Sequence, residues 1–315
     1  MALQETDSLR KAARDNERYV SNLRMRDSSV LPETVKLYHS DVTLGLQELQ
    51  ESAAESEQEM VRVSFSHMHS AQAAEHFNGQ NAGSSITVMN FANGHRAGGG
   101  YLGGARAQEE ALCRQFPLYH PSMFQKQTTL YPFGAAVSGP PWKALDVRKE
   151  YSAVLFTPPT PMLRDHVERH LRPLQEERKF NVSFVAAAAP RLSKDHLDDD
   201  LLCEAIENCI LGSAMHQRLH EPERRDQPRI LILGAWGCGA RGNDPFAMAK
   251  RFTKVLADRR AVINQFWREV HFAVPAFRQQ DLMNQRGFEN ALKELCGESL
   301  EIINLPQPES APATV

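Results

Sequence analysis

Beyond residue 60, apolar positions gather into short runs at 61–65, 86–91, 154–156, 182–187, 230–233 and 270–274. Their length and their share of Val, Ile and Phe predict strands. Helical spacing of apolar positions follows over 107–116, 197–219, 245–257 and 279–296, with Pro117 helping to end the first. Strands alternating with helices predict an α/β layer fold with a largely buried sheet. Before residue 60 the chain is polar, and helices are expected over 9–25 and 32–57. The second has Glu33 in its first turn and carries Leu37, Leu44, Leu46 and Leu49. Proline-rich stretches at 130–143 and 157–161 read as loops, and 306–315 as disordered. No internal repeat is present. The division expected is a helical N-terminal extension over 1–60, an α/β domain over 61–303 and a tail over 304–315.

Composition narrows the class. A chain of 315 residues can form one large domain or two small ones, and 42% hydrophobic with 24% charged residues is ordinary for a soluble globular protein. A net charge of −3 argues against a protein that coats a polyanion. Locally the balance differs: residues 76–145 hold five Lys/Arg against two acids, which suits a small anionic ligand. Five scattered cysteines without a CxxC pair read as reduced thiols, neither a disulfide framework nor a zinc ribbon. The N-terminus lacks an apolar signal region, and no apolar run approaches the roughly 18 residues that span a bilayer. An intracellular protein, cytoplasmic or nuclear, is expected.

The candidate chemistry lies where strands end. Six of the eighteen glycines fall between Gly94 and Gly104, in the run NFANGHRAGGGYLGGARAQEE. Gly98, Gly99 and Gly100 can lie against a ligand where a Cβ would collide and can offer N–H groups to an anion. Gln108, Glu109 and Glu110 follow, and those two acids are the only ones between His76 and Leu145. After the strand at 230–233 comes a second loop with four glycines: Gly234, Gly237, Gly239 and Gly242. It also holds Trp236, Cys238, Ala240, Arg241 and Asn243, and Asn243-Asp244-Pro245 reads as a helix N-cap with a first-turn proline. Strand, glycine loop and helix N-terminus form a common phosphate site, and two such loops on one sheet edge would clamp a diphosphate. Neither loop is a Walker motif, and the first lacks the dinucleotide spacing.

These residues resemble the macrodomain-type poly(ADP-ribose) glycohydrolases, in particular their microbial branch. The likeness rests on Gly98-Gly99-Gly100, seven residues, then Gln108-Glu109-Glu110. It extends to Asn90-Phe91-Ala92-Asn93, Leu112-Cys113-Arg114 and the loop from Gly234. The resemblance implies a macrodomain-like three-layer fold, a central mixed sheet flanked by helices, with the N-terminal helical extension. It implies hydrolysis of ribose–ribose O-glycosidic bonds, from chain ends, releasing ADP-ribose. Glu110 would be the catalytic acid/base, Glu109 would hold ribose at the scissile linkage, and Asn93 would bond the distal ribose. The glycine loops, with Gln108, would embrace the substrate. Neither cofactor nor metal is implied, nucleic acid is not required, and a monomer is expected.

The chemistry agrees with that assignment. Glycosidic cleavage passes through an oxocarbenium-like state and needs a proton on the leaving oxygen. Adjacent acids on one segment cannot easily straddle a sugar, so one carboxyl would serve twice, with Glu110 starting protonated. Two departures stand out. Arg241 occupies the place where the family usually has an aromatic residue beside the distal ribose, and Ser66-His67-Met68-His69-Ser70 replaces a threonine-rich turn. Arg241 leaves removal of mono-ADP-ribose as an alternative, and a silent ADP-ribose binding module is another. Blander readings remain for the other motifs. His67 and His69 lack a third ligand nearby. Asp198-Asp199-Asp200 reads as a helix cap with first-turn acids rather than a magnesium site. Cys238 reads as a packing residue, and Trp236 as core.

Overall fold

The computed structural model describes residues 2–26, 33–52, 59–80, 83–118, 127–137, 146–192, 199–220, 227–276 and 279–304. Eight strands make one mixed sheet: β1 (Val35–Leu37), β2 (Arg62–Ser66), β3 (Ser85–Phe91), β4 (Val154–Pro161), β5 (Asn181–Ala187), β6 (Arg229–Leu233), β7 (Glu269–Ala273) and β8 (Glu301–Ile303). Their order is β1-β4-β5-β3-β6-β7-β2-β8. The pairs β1–β4 and β4–β5 are antiparallel, and every other neighbouring pair is parallel.

The helices are α1 (Ala2–Arg26), α2 (His39–Ser52), α3 (Ser70–Gln80), α4 (Gln108–Gln115), α5 (Asp146–Ser152), α6 (Asp199–Glu207), α7 (Ser213–His220), α8 (Pro245–Asp258), α9 (Arg260–Phe266) and α10 (Gln279–Cys296). Alternate residues of a strand face opposite sides, and the core divides accordingly. Met89, Val185, Leu231 and Leu233 pack with α2 and with α6 through α10. Ile86, Val88, Val182, Phe184, Ile230 and Ile232 pack with α1, α3 and α4. The result is the three-layer arrangement with a central mixed sheet, a macrodomain-like fold.

The structure departs from the sequence pattern in four places. The helix expected over 32–57 contains a strand: Val35 pairs with Phe156, and Asn208 donates to the Leu37 carbonyl (3.1 Å) before α2 begins. Helix α3 was not expected, because it buries only small residues and Phe77, so no large apolar stripe marks it. The proline stretch 157–161 continues β4 instead of looping. Its register with β5 shifts between Thr157 and Thr160, so Pro158 and Pro159 sit where no ladder N–H is required. The helix expected over 197–219 runs on through a wider, π-helical turn at Asn208–Gly212 between α6 and α7. Of the expected tail, residues 305–315 lie outside the described residues.

The N-terminal segment is joined to the rest. Asn16 on α1 donates to the Cys113 and Arg114 carbonyls at the end of α4 (3.3 and 2.7 Å) and accepts from Arg164 (2.7 Å). Ala13 lies in the α3–α4 core, and Arg10 donates to the Gly103 carbonyl (3.2 Å). No helix among the described residues is long and apolar enough to cross a membrane.

Candidate active site

Strands β3 and β6 are parallel neighbours, so both glycine loops leave the same edge of the sheet. They touch at their roots, where a Cβ on Gly234 would lie 3.0 Å from the Phe91 ring and 2.7 Å from the Ala273 carbonyl oxygen. The convergence expected from the sequence is therefore met by topology. Trp236 is buried and donates to the Ala187 carbonyl on β5 (3.0 Å), anchoring the second loop to the end of that strand.

In the first loop the chain turns tightly through Gly98 (φ 68°) and Gly99 (φ 53°), both in the left-handed region that favours glycine. The Tyr101 N–H donates to the Gly98 carbonyl (2.9 Å), and the Ala105 N–H returns to the Gly100 carbonyl (3.2 Å). Helix α4 then starts at Gln108 with Glu109 and Glu110 in its first turn, where the helix dipole favours acids. Both acids are buried, at 3% and 7% exposure. Glu109 Oε2 accepts from the Asn93 N–H (2.8 Å), and Glu110 Oε1 accepts from the Gly100 N–H (2.8 Å). Glu110 Oε2 is buried without a hydrogen-bond partner among the described residues.

Burial drives the Glu109 carboxyl up to about 8, with the nearby Glu110 charge adding to the rise and N–H groups of Asn93 and Gly98 opposing it. Such a group stays protonated in the fold while the unfolded chain releases its proton from about 4.5 upward. The folded state then binds more protons, so stability falls as pH rises between those two values and is fully present below the lower one. Glu109→Gln removes this loss. Its melting temperature is expected to gain on the wild type between pH 5 and pH 8, by roughly 5 °C, a few kcal/mol at about 1.4 per pH unit. Parallel melting curves in thermal titrations would not be compatible with this assignment.

Other expected ligands of the substrate have protein partners. Gln108 accepts from the Phe91 N–H (2.9 Å) and donates to the Met89 carbonyl (2.7 Å) and Ser70 Oγ (3.1 Å). It clamps α4 to the end of β3 rather than reaching into the cleft. Asn93 Oδ1 accepts from the N–H groups of His95 (2.9 Å) and Arg96 (3.3 Å), closing the turn that starts the loop. Asn243 is buried, donates to the Pro190 carbonyl (2.9 Å) and accepts from the Leu192 N–H (3.0 Å), so it pins the second loop to the end of β5. Cys238 is buried, its thiol pushed up to about 12 by that burial and directed at the Trp236 carbonyl (3.6 Å), which fits packing rather than nucleophilic work.

Gly237 takes φ 77°, and its missing Cβ leaves room for the Asn243 amide. Gly239, Ala240 and Gly242 are exposed at the loop tip, and Arg241 is half-buried there. The Arg241 guanidinium forms no ion pair or hydrogen bond among the described residues. Asp244 caps α8 by accepting from Phe246 and Ala247 N–H groups (3.4 and 3.1 Å), ahead of the expected proline.

Several contributors were not among the expected site residues. Arg114, one helical turn after Glu110, is buried and donates to the Tyr101 and Ala105 carbonyls (3.3 and 2.5 Å). The (i, i+4) spacing from Glu110 was the available signal. The segment after the single helical turn Gln127–Leu130 covers the first loop: the Phe133 N–H donates to the Gly94 carbonyl (3.0 Å), and burial lifts the Tyr131 hydroxyl well above its usual range beside Glu109. Away from this edge, Glu75, Asp165 and His166 bring ligand-type atoms within 4.8 Å of one another. Arg178 already bridges both carboxylates (3.0 and 3.3 Å), and His166 Nε2 bonds Glu75 (2.9 Å), which reads as an ion-pair network tying α3 to the segment after β4. His69 pairs with Glu168 (3.4 Å), and Asp199 opens α6 and accepts from Arg251 (2.7 Å).

A three-layer mixed sheet with two glycine loops and a buried acid pair on one edge defines a macrodomain-like glycohydrolase class. The sequence profile of the microbial-type PARG catalytic domain matches residues 8–165 of the 315, half of the chain. The chain belongs to this family of microbial-type poly(ADP-ribose) glycohydrolases. Among solved structures it is similar to the poly(ADP-ribose) glycohydrolase of Thermomonospora curvata, with 23% identity over 90% of this chain and 99% of that one, at TM-score 0.67. It is also similar to the Deinococcus radiodurans enzyme in complex with ADP-ribose, with 24% identity over 84% and 95% of the two chains, at TM-score 0.62. At these identities the likeness speaks for the fold. No match was found among curated proteins.

Proposed function

We propose that this poly(ADP-ribose) glycohydrolase cleaves ribose–ribose bonds from chain ends, with Glu110 as acid and then base. The observation that carries the reading is the asymmetry of that carboxyl: Oε1 is held by the Gly100 N–H while Oε2 is buried and has no partner among the described residues. A buried polar atom left unsatisfied in a folded protein calls for a reason, and a catalytic role is one. Glu110 donates its proton to the leaving ribose oxygen as the anomeric C–O bond breaks and its electron pair goes to that oxygen. Water then attacks the anomeric carbon and gives a proton back to the Glu110 carboxylate. Glu109, kept protonated by burial near neutral pH, can donate to a ribose hydroxyl while its other oxygen accepts from Asn93.

The diphosphate would lie between the N–H groups of the two glycine loops, with negative charge near the forming cation. Arg241, free of protein partners among the described residues, would bind substrate phosphate. Helix α1 braces the Tyr101–Gly103 turn through Arg10.

Early products from long polymer test this. Monomeric ADP-ribose should dominate from the first time point, and Arg241→Ala should raise KM roughly tenfold with a smaller change in kcat, as expected for a lost charged hydrogen bond. Release of oligomers would instead mean internal cleavage. Activity confined to mono-modified protein would make the chain a mono-ADP-ribosyl hydrolase, and tight ADP-ribose binding without turnover a reader.

A further inference from the structure

Arg114 is a charged side chain that takes no part in the proton transfers of the reaction. It is 2% exposed, and Lys or Arg is almost never buried so fully without a paired charge. No ion pair within bonding distance accompanies it among the described residues. Its Nη2 donates to the carbonyls of Tyr101 and Ala105, on either side of the turn that follows Gly100. The guanidinium also lies over the Tyr101 ring, 5.9 Å from its centroid, and the Tyr101 hydroxyl donates to the Ala13 carbonyl of α1 (3.0 Å). Its Nε is buried and unpartnered, as Glu110 Oε2 is. Burial works against the Arg114 charge, and among neighbouring charges Glu110 does most to sustain it.

We propose that Arg114 is a positioning residue for the hydrolysis. It pins the turn whose Gly100 N–H holds Glu110, and its buried positive charge favours the carboxylate that Glu110 becomes once its proton has left. The proposal rests on Glu110 acting as the acid and base. Among the described residues, the other titratable or charged groups around this pair are Glu109 and Cys113 on α4, Tyr101 and Arg106 from the turn, and Tyr131 from the covering segment. Glu17 on α1 and Arg164 act on the same cluster through Tyr101. All are unchanged in the variants below, so a shift in pH dependence is assignable to Arg114.

Arg114→Met and Arg114→Lys separate charge from bracing when kcat/KM for polymer is measured against pH and ADP-ribose affinity by calorimetry. Arg114→Met should lose roughly 10–100-fold in kcat while ADP-ribose Kd stays within about threefold. The alkaline limb of kcat/KM should move up by about one pH unit, since a buried cation beside the acid pair has been removed. Arg114→Lys keeps the charge and loses the planar fork, so kcat should fall while that pH stays within roughly 0.3 unit. Full activity in Arg114→Met, or a loss with an unmoved pH profile, would overturn the proposal. If Arg114→Met does not fold, Arg114→Lys decides alone: an unchanged kcat or a one-unit shift of its profile overturns it. An active Glu110→Gln would remove the reading beneath, whereas an inactive Glu110→Gln beside an unaffected Arg114→Met would remove this inference only.

Discussion

Glu110→Gln is expected to lower kcat for polymer hydrolysis by about a thousandfold or more while ADP-ribose affinity stays within roughly threefold. The size follows from the double role, because positioned acid–base groups typically contribute about 10²–10⁴-fold and here one group serves both steps. The amide retains the shape of the carboxyl, and its oxygen can still accept from the Gly100 N–H now bonded to Glu110 Oε1. What it loses is the transferable proton at the oxygen that has no partner among the described residues. Stopped assays with labelled polymer, beside calorimetric titration with ADP-ribose, read both quantities. A variant that keeps more than a tenth of wild-type turnover would remove Glu110 from the mechanism.

Gly99→Ala is expected to cost at least a hundredfold in kcat/KM without unfolding the protein. A Cβ at this position would lie 2.5 Å from Glu110 Oε1 and 2.8 Å from Glu109 Oε2, closer than real Cβ contacts come. The neighbours that must yield are the tips of both acids, and they can yield only by leaving the Gly100 and Asn93 N–H groups. The backbone adds strain, since φ 53° costs an L-residue about 1–2 kcal/mol. Overpacking of this kind typically costs about 1–3 kcal/mol of stability, which a domain of this size withstands. Gly79→Ala in α3 is the matched control, because a Cβ there meets nothing within 4 Å and Ala favours a helix. Equal activity in the two variants would mean that Gly99 does not set the acid pair.

Legibility followed the range of the interactions. Helix α10 and the Asp244 cap with Pro245 emerge at the expected positions because capping and 3.6-residue periodicity are written locally. The two loops are equally local: a glycine run after an apolar strand announces its own backbone. Strand β1 was hidden because three residues are held by pairing with β4 across more than a hundred positions, which overrides their helical surroundings. Helix α3 was hidden because its alanines and Ser70 bury well yet leave no apolar stripe. Residue types alone also left the destinations of polar side chains open. Gln108 and Asn243 look like ligand groups in the sequence, and each instead satisfies backbone groups that the loops expose.

By itself the sequence determined the layer type, the two loops, the adjacency of Glu109 and Glu110, and the family that these features mark. Those depend on spacing within a few residues, where covalent geometry does most of the work. Only the tertiary structure decided that the loops meet, because β3 and β6 become neighbours through pairing across intervening elements. It also decided how the two acids differ. Identical in type and adjacent in chain, Glu109 is driven up by burial while Glu110 keeps one oxygen on Gly100 and the other unpartnered. Desolvation and hydrogen-bond supply belong to the packed environment, so no reading of residue order could have assigned them.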